Sequence, residues 1–254
     1  SGNIQSRQDM DLRTGTMTNA RGKIEAGRNM HISAVGDIKN LSSNIKGGSV
    51  VLASTQGNIV NKTLSKGIDL QHSVGIEHYT LIDKTASIEA TKGHLLLDAG
   101  KNIENTGANL TSKGDMALKA KENINIKTLQ DEKSYDYKFN NGYAKGESVE
   151  HLQSNVKAGR QLSLLADKNI NLEAVNIDAG NTYINAKEKV NITATVESKY
   201  TESHFEDEGF FSSSSTADMK LTQSVKGTEI QTVNLVVEGN KGVSLESMTA
   251  NASN

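Results

Sequence analysis

The chain has 254 residues, with 28 basic and 30 acidic side chains (formal net charge −2), no cysteine and no proline. That balance excludes the basic stripe of a nucleic-acid binder, and the missing cysteines exclude disulfide frameworks and thiolate metal sites. Hydrophobic residues make up 35% and aromatics 4%, too few rings for an ordinary globular core, while Gly (22) and Asn (25) are abundant.

In chain order, repetition begins at once. "RQDMDLRTG" (7–15) matches "GRNMHISAV" (27–35), with Met30 in the place that Met10 holds. Looser copies follow at 56–63, 65–72 ("SKGIDLQH") and 91–100. "GKNIENTGA" (100–108) and "KENINIKT" (121–128) align Ile103 with Ile124, and "ADKNINLEA" (166–174) returns as "AKEKVNITA" (186–194). A last copy lies at 240–248. Each copy is a turn of Gly, Asn, Lys or Asp followed by apolar, polar, apolar, the period-two signature of a strand with one buried face. No segment holds a helical apolar period for three turns.

Strands recurring on a strict beat point to a solenoid, in which every repeat meets the same neighbours. The expected fold is all-β: a parallel β-helix of about 20 residues per coil, roughly nine coils and about 45 Å long at the usual strand spacing. Stacked Ile, Val and Leu fill its interior, stacked Asn line its turns, and Pro is absent because it would remove a ladder donor.

One β-helical unit is expected over 1–254, broken by two excursions at about 128–159 and 195–228, with a weaker irregularity at 68–84. The excursions answer each other: "EKSY" (132–135) matches "ESKY" (197–200), and "LQSNVKAG" (152–159) matches "LTQSVKGT" (221–228). Each reads as a protruding β-hairpin, the first turning at Asn140-Asn141-Gly142, the second near Glu208-Gly209. They hold eight of the ten aromatic residues, so the candidate contact surface is Tyr135, Tyr137, Phe139, Tyr143, Tyr200, Phe205, Phe210 and Phe211. Rings gathered on protruding elements mark binding surfaces or membrane-interface anchors, or else cover a neighbouring flank. Both placements, hairpins folded back along the solenoid and hairpins standing free, stay open at this level.

Catalytic chemistry leaves little trace. The six His are scattered without metal spacing; His72 and His78 flank the weaker irregularity and are the nearest to a ligand pair. "FEDEG" (205–209) lacks calcium-loop spacing and reads as a charged hairpin tip. No nucleophile elbow or phosphate loop occurs in a strand–turn–helix context. No catalytic, cofactor-binding or metal residue is expected. A polysaccharide-active β-helix enzyme is the remote alternative.

"AGKNIENTGANLTSKGDMALKAKENINI" (99–126), "LSLLADKNINLEA" (162–174) and the "ESKY … GFFSSSS … QSVKG" excursion resemble the haemagglutinin repeats of two-partner-secretion exoproteins, the filamentous haemagglutinin and CdiA-type family. The resemblance covers nearly the whole chain. It implies a right-handed parallel β-helix, secretion through a dedicated outer-membrane transporter, and a place at the bacterial cell surface. For a contact-dependent growth inhibition effector it implies action at the target cell's outer membrane during toxin delivery. For the adhesin branch it implies a filament binding a host-cell receptor or carbohydrate. The chain is then expected to be a piece of something longer, without secretion domain or toxin, whose exposed strand edges favour end-to-end self-association.

Overall fold

A computed structural model describes residues 2–209 and 212–252, and among them every regular element is a strand. The strands form three sheets of 15, 8 and 6 members. The first two are parallel and carry the core. One circuit of the chain lays down three short strands, as in Asn3–Ser6, Met10–Thr14 and Met17–Ala20, and the next circuit repeats them at Lys23–Ala26, Asn29–Ala34 and Ile38–Leu41.

Equivalent residues pair across circuits: Ile4 with Ile24, Met10 with Met30, Met17 with Ile38, Ile103 with Ile124, Ile170 with Val190. This is the arrangement of a β-helix solenoid, with eight full circuits and a ninth begun at Met248–Ala252. Alternation does the sorting. Inward residues such as Ile32, Leu52, Leu97, Leu118, Leu164 and Ile184 stack into one file, each essentially fully buried. Burying each such side chain contributes on the order of 1.5–3 kcal/mol, which is how a chain poor in aromatics builds a core.

Asparagines form the ladders that the composition suggests. Inside the first four circuits, Asn19, Asn40, Asn61 and Asn105 are buried, and each side-chain amide donates to the next carbonyl at 3.0, 2.8 and 2.7 Å. From the fifth circuit the inner position is taken by Ile126, Leu172 and Ile192. A ladder then runs on the outward position, Asn171 to Asn125 and Asn191 to Asn171, both at 2.8 Å. Another climbs a turn from Asp37 through Asn58, Asn102 and Asn123 to Asn169.

One corner of each circuit decides what the molecule can carry. In circuits 1, 2, 4, 6 and 8 a single left-handed residue turns that corner: Arg21, Ser42, Gly107, Ala174 and Ser247, with φ between 44° and 52°. In circuits 3, 5 and 7 the same corner is replaced by a long antiparallel hairpin: Ser65–His72 with Gly75–Ile82, Leu129–Phe139 with Gly142–Leu152, and Thr195–Gly209 with Ser212–Lys226. Hairpins therefore leave every second circuit from one edge of the solenoid.

"SKGIDLQH", read from sequence as a loose copy of the coil repeat, is instead the leading strand of the first hairpin. Its alternation of Ile68 and Leu70 with polar residues fits a coil strand and a hairpin strand equally, so periodicity alone misassigns it. The stretch 68–84, read as a weaker irregularity, holds a hairpin of the same kind as the other two, with strands of 8 residues against 11 and 15.

Candidate functional site

The three hairpins join into one six-stranded antiparallel sheet, here called the fin. The trailing strand of each hairpin pairs with the leading strand of the next, Gly75–Tyr79 with Lys133–Tyr137 and Gly142–Val149 with Ser198–Phe205. The hairpin strands keep their contacts to one another rather than lying along coil strands. Both faces reach solvent, and of their described residues only Gly146 is buried. Among the described residues no layer is packed over the fin.

Cross-strand pairing sorts the rings onto two faces. Tyr135, Tyr137 and Phe139 alternate along one strand and share a face with Phe205. Tyr135 stacks on Tyr137 at 5.3 Å between centroids, Phe139 follows at 6.4 Å, and Phe205 meets Phe139 at 5.8 Å across the second seam. Opposite this row run Gly142, Ala144 and Gly146. A methyl group on Gly146 would lie 2.6 Å from the Tyr135 ring, so the small residues make the trough in which the rings lie. Phe139, at 41%, is the most exposed large apolar residue of the row.

Tyr143 and Tyr200 lie on the other face. There the Glu202 carboxylate accepts from the phenols of Tyr143 (2.6 Å) and Tyr200 and pairs with the Lys145 ammonium at 2.9 Å. Those donors, the Tyr143 hydroxyl foremost, hold the Glu202 carboxyl at about 2. The same bond pushes the Tyr143 phenol up. Glu77 plays a similar part at the first seam, accepting from Tyr137 at 3.1 Å. Burial and then this carboxylate raise the Tyr137 phenol. Sequence reading pointed to the rings and missed Glu77 and Glu202, whose only signal is their cross-strand position.

Six of the eight expected contact residues are therefore in the fin, four on one face and two on the other. Phe210 and Phe211 lie outside the described residues. Around the tips, Phe139, Asn140, Asn141, Tyr143, His204 and Glu206 line an open groove. His72 and His78 point to opposite faces, His72 toward Glu77 and Tyr137, His78 toward Asp69. Among the described residues no three His, Asp or Glu gather as metal ligands.

A family model described as hemagglutinin repeat matches residues 60–143 and 139–254. The chain belongs to the hemagglutinin-repeat family. It is 40% identical over 131 residues, 49% of its length, to "tRNA nuclease CdiA" of Escherichia coli O6:K15:H31 (strain 536 / UPEC). It is 32% identical over 172 residues, 63% of its length, to the Yersinia mollaretii protein of the same name. Over 92 residues, 35% of its length, it is 41% identical to "16S rRNA endonuclease CdiA" of Enterobacter cloacae subsp. cloacae. It covers 4%, 6% and 3% of these relatives. No solved structure matches. The hemagglutinin-repeat chain is a structural repeat segment of a secreted, cell-surface exoprotein.

Proposed function

We propose that this segment is a rigid stalk bearing a contact surface: a right-handed parallel β-helix of about 20 residues per coil whose fin meets another cell. The parent, exported through an outer-membrane two-partner-secretion transporter, is a contact-dependent growth inhibition effector. Its fin works at the target cell's outer membrane during toxin delivery. The observation that carries this reading is the placement of the rings. Among the described residues every aromatic side chain except Tyr183 belongs to the three hairpins, and the sheet that holds them is uncovered on both faces. Amphipathic rings in such a place suit a membrane interface or a partner's surface.

A second reading, the adhesin, rests on the tip groove, where Phe139 and Tyr143 flank the amides of Asn140 and Asn141. Ring faces beside amide donors and acceptors suit a carbohydrate.

Co-sedimentation with outer-membrane vesicles tests the first reading. Wild type is expected to pellet with vesicles, and Phe139→Ser/Tyr143→Ser to stay in the supernatant with an unchanged far-ultraviolet circular dichroism spectrum. Wild-type protein that stays in the supernatant, or a variant that pellets equally, overturns it. Glycan binding without vesicle binding favours the adhesin.

A further inference from the structure

At the solenoid end of the ring row the same face of the fin changes character. Register sets Lys133, Ser148 and Lys199 side by side across three strands, and Tyr135, Gly146 and Thr201 side by side in the next row toward the tip. These six line an open, mainly apolar groove of about 260 Å³ between the second and third hairpins. The Tyr135 ring settles onto Gly146, its hydroxyl oxygen 2.8 Å from where a methyl group would stand, so the phenol is held at the floor of the groove.

Hydrogen bonding sets this groove apart from the rest of the fin. Elsewhere the phenols have carboxylate acceptors: Tyr137 donates to Glu77, and Tyr143 and Tyr200 donate to Glu202. Among the described residues none accepts from the hydroxyls of Tyr135, Ser148 or Thr201, although Ser148 and Thr201 are half-buried. Lys199 makes no ion pair among them, and Lys133 makes only a long one, 3.8 Å to Asp131. Two carboxylates border the groove. Glu77 is engaged by the Tyr137 phenol at 3.1 Å and by His72 at 3.5 Å. Glu147, next to Gly146 in the chain, turns its side chain to the opposite face. Two ammoniums and three hydroxyls therefore surround one space with donors to spare.

We propose that this groove binds a phosphorylated sugar, the phosphate between Lys133 and Lys199 over the Ser148 hydroxyl, and the sugar ring against Tyr135 and the Gly146 floor. The donors select phosphate over carboxylate. A phosphate monoester brings three strong acceptor oxygens and a charge of about −1.5 to −2, which two ammoniums and three hydroxyls satisfy. A carboxylate, with two oxygens and a single charge, leaves donors unused. Phosphate alone makes no use of the apolar walls, whereas the C–H face of a sugar does. The volume lies below the roughly 300–1,000 Å³ of sites for larger ligands, so it suits one sugar unit, and the open side lets a longer glycan continue into solvent. The proposal rests on the fin as a surface that meets another cell only for where such a sugar is presented.

Titration of the full 254-residue chain with glucose 6-phosphate, followed by amide chemical shifts, tests it. Saturable shifts are expected at 133–135, 146–148 and 199–201, with glucose and inorganic phosphate each binding roughly tenfold more weakly or worse. Lys133→Gln/Lys199→Gln is expected to weaken binding by about tenfold or more at an unchanged circular dichroism spectrum. Tyr135→Phe, which keeps the ring and loses one donor, should cost about tenfold. Inorganic phosphate bound as tightly as the sugar phosphate, equal binding by the lysine double variant, or the absence of localised shifts overturns the proposal. Vesicles separate the sources of the sugar: phosphatidylethanolamine vesicles carrying a phosphorylated glycolipid are compared with the same vesicles after phosphatase treatment. Retention by the phosphorylated vesicles alone, competed away by glucose 6-phosphate, identifies a membrane-anchored sugar, and titration without retention identifies a soluble one. In the latter case the target-membrane reading falls and the groove stands. Retention that survives the lysine double variant, with no titration, removes the groove and leaves the membrane contact.

Discussion

Gly75 and Gly142 hold the same place in successive hairpins. Each follows a two-residue turn, and each receives the backbone of the next hairpin against its bare α-carbon. An added Cβ would lie 1.9 Å from the Asp136 carbonyl oxygen at Gly75 and 2.0 Å from that of His204 at Gly142. The turn residue before each accepts a hydrogen bond across the seam, Val74 from Lys138 at 2.6 Å and Asn141 from Glu206 at 2.7 Å. The fin is thus assembled by one rule used twice.

Gly142→Val should open the second seam and leave the solenoid intact. Forcing a side chain against a fixed backbone costs about 1–3 kcal/mol, more than a strand pair without a packed layer can absorb. Hydrogen exchange at 198–205 is expected to accelerate at least tenfold while amides at 162–166 keep their protection. Unchanged exchange at the seam would show that the close approach is not required.

The two asparagine ladders should respond unequally. Asn61 lies in the buried ladder, accepting from Asn40 and donating to Asn105, so Asn61→Leu leaves the Asn105 carbonyl without its donor. An unmet buried group costs about 1–3 kcal/mol, and chemical denaturation should show a loss in that range. Asn171→Leu removes the equivalent link on the half-buried outer ladder, where water substitutes, and should cost under about 1 kcal/mol. Equal losses would refute the distinction.

Acid should loosen the fin through Glu202. Its carboxyl titrates near 4.5 when unperturbed and at about 2 in the folded fin. The folded value is the lower one, so the stabilisation is complete above about 4.5 and disappears as pH falls through about 2. Five of the six tyrosines lie in the hairpins and there is no tryptophan, so near-ultraviolet circular dichroism reports the fin. Glu202→Gln should lose part of the signal's thermal stability at pH 7 and vary less between pH 5 and 2. Parallel pH profiles for the two proteins would count against the clamp.

The coil was legible because its residues repeat under identical constraints. Met10 above Met30 and Ile170 above Val190 are literal neighbours in space, so a period in the sequence becomes a stack in the fold. The fin was only half legible. Asn140-Asn141-Gly142 announces its turn, but Ser73-Val74-Gly75 makes the equivalent turn with no such signature, which hid the first hairpin. The joining of hairpins was not legible, because partners such as Tyr143 and His204 are far apart along the chain and lie on strands that read as separate excursions. Nor did the spacing of the rings tell which faces they take: Tyr143 sits opposite Lys138, not beside Tyr137.

Hairpins leave every second circuit, and their leading strands begin at Ser65, Leu129 and Thr195, an almost even interval. Two circuits advance the solenoid by about 9.6 Å, and one hairpin widens the fin by two strands, also about 9.6 Å. Because the two rises agree, such a stretch is a natural unit of gene duplication. Copying it in frame adds equal length to stalk and fin, strains neither, and presents the same edges for the next copy. A hairpin on every circuit would crowd the fin, and one on every third would leave it gapped. The alternation of turned and extended corners is what lets stalk and fin lengthen together.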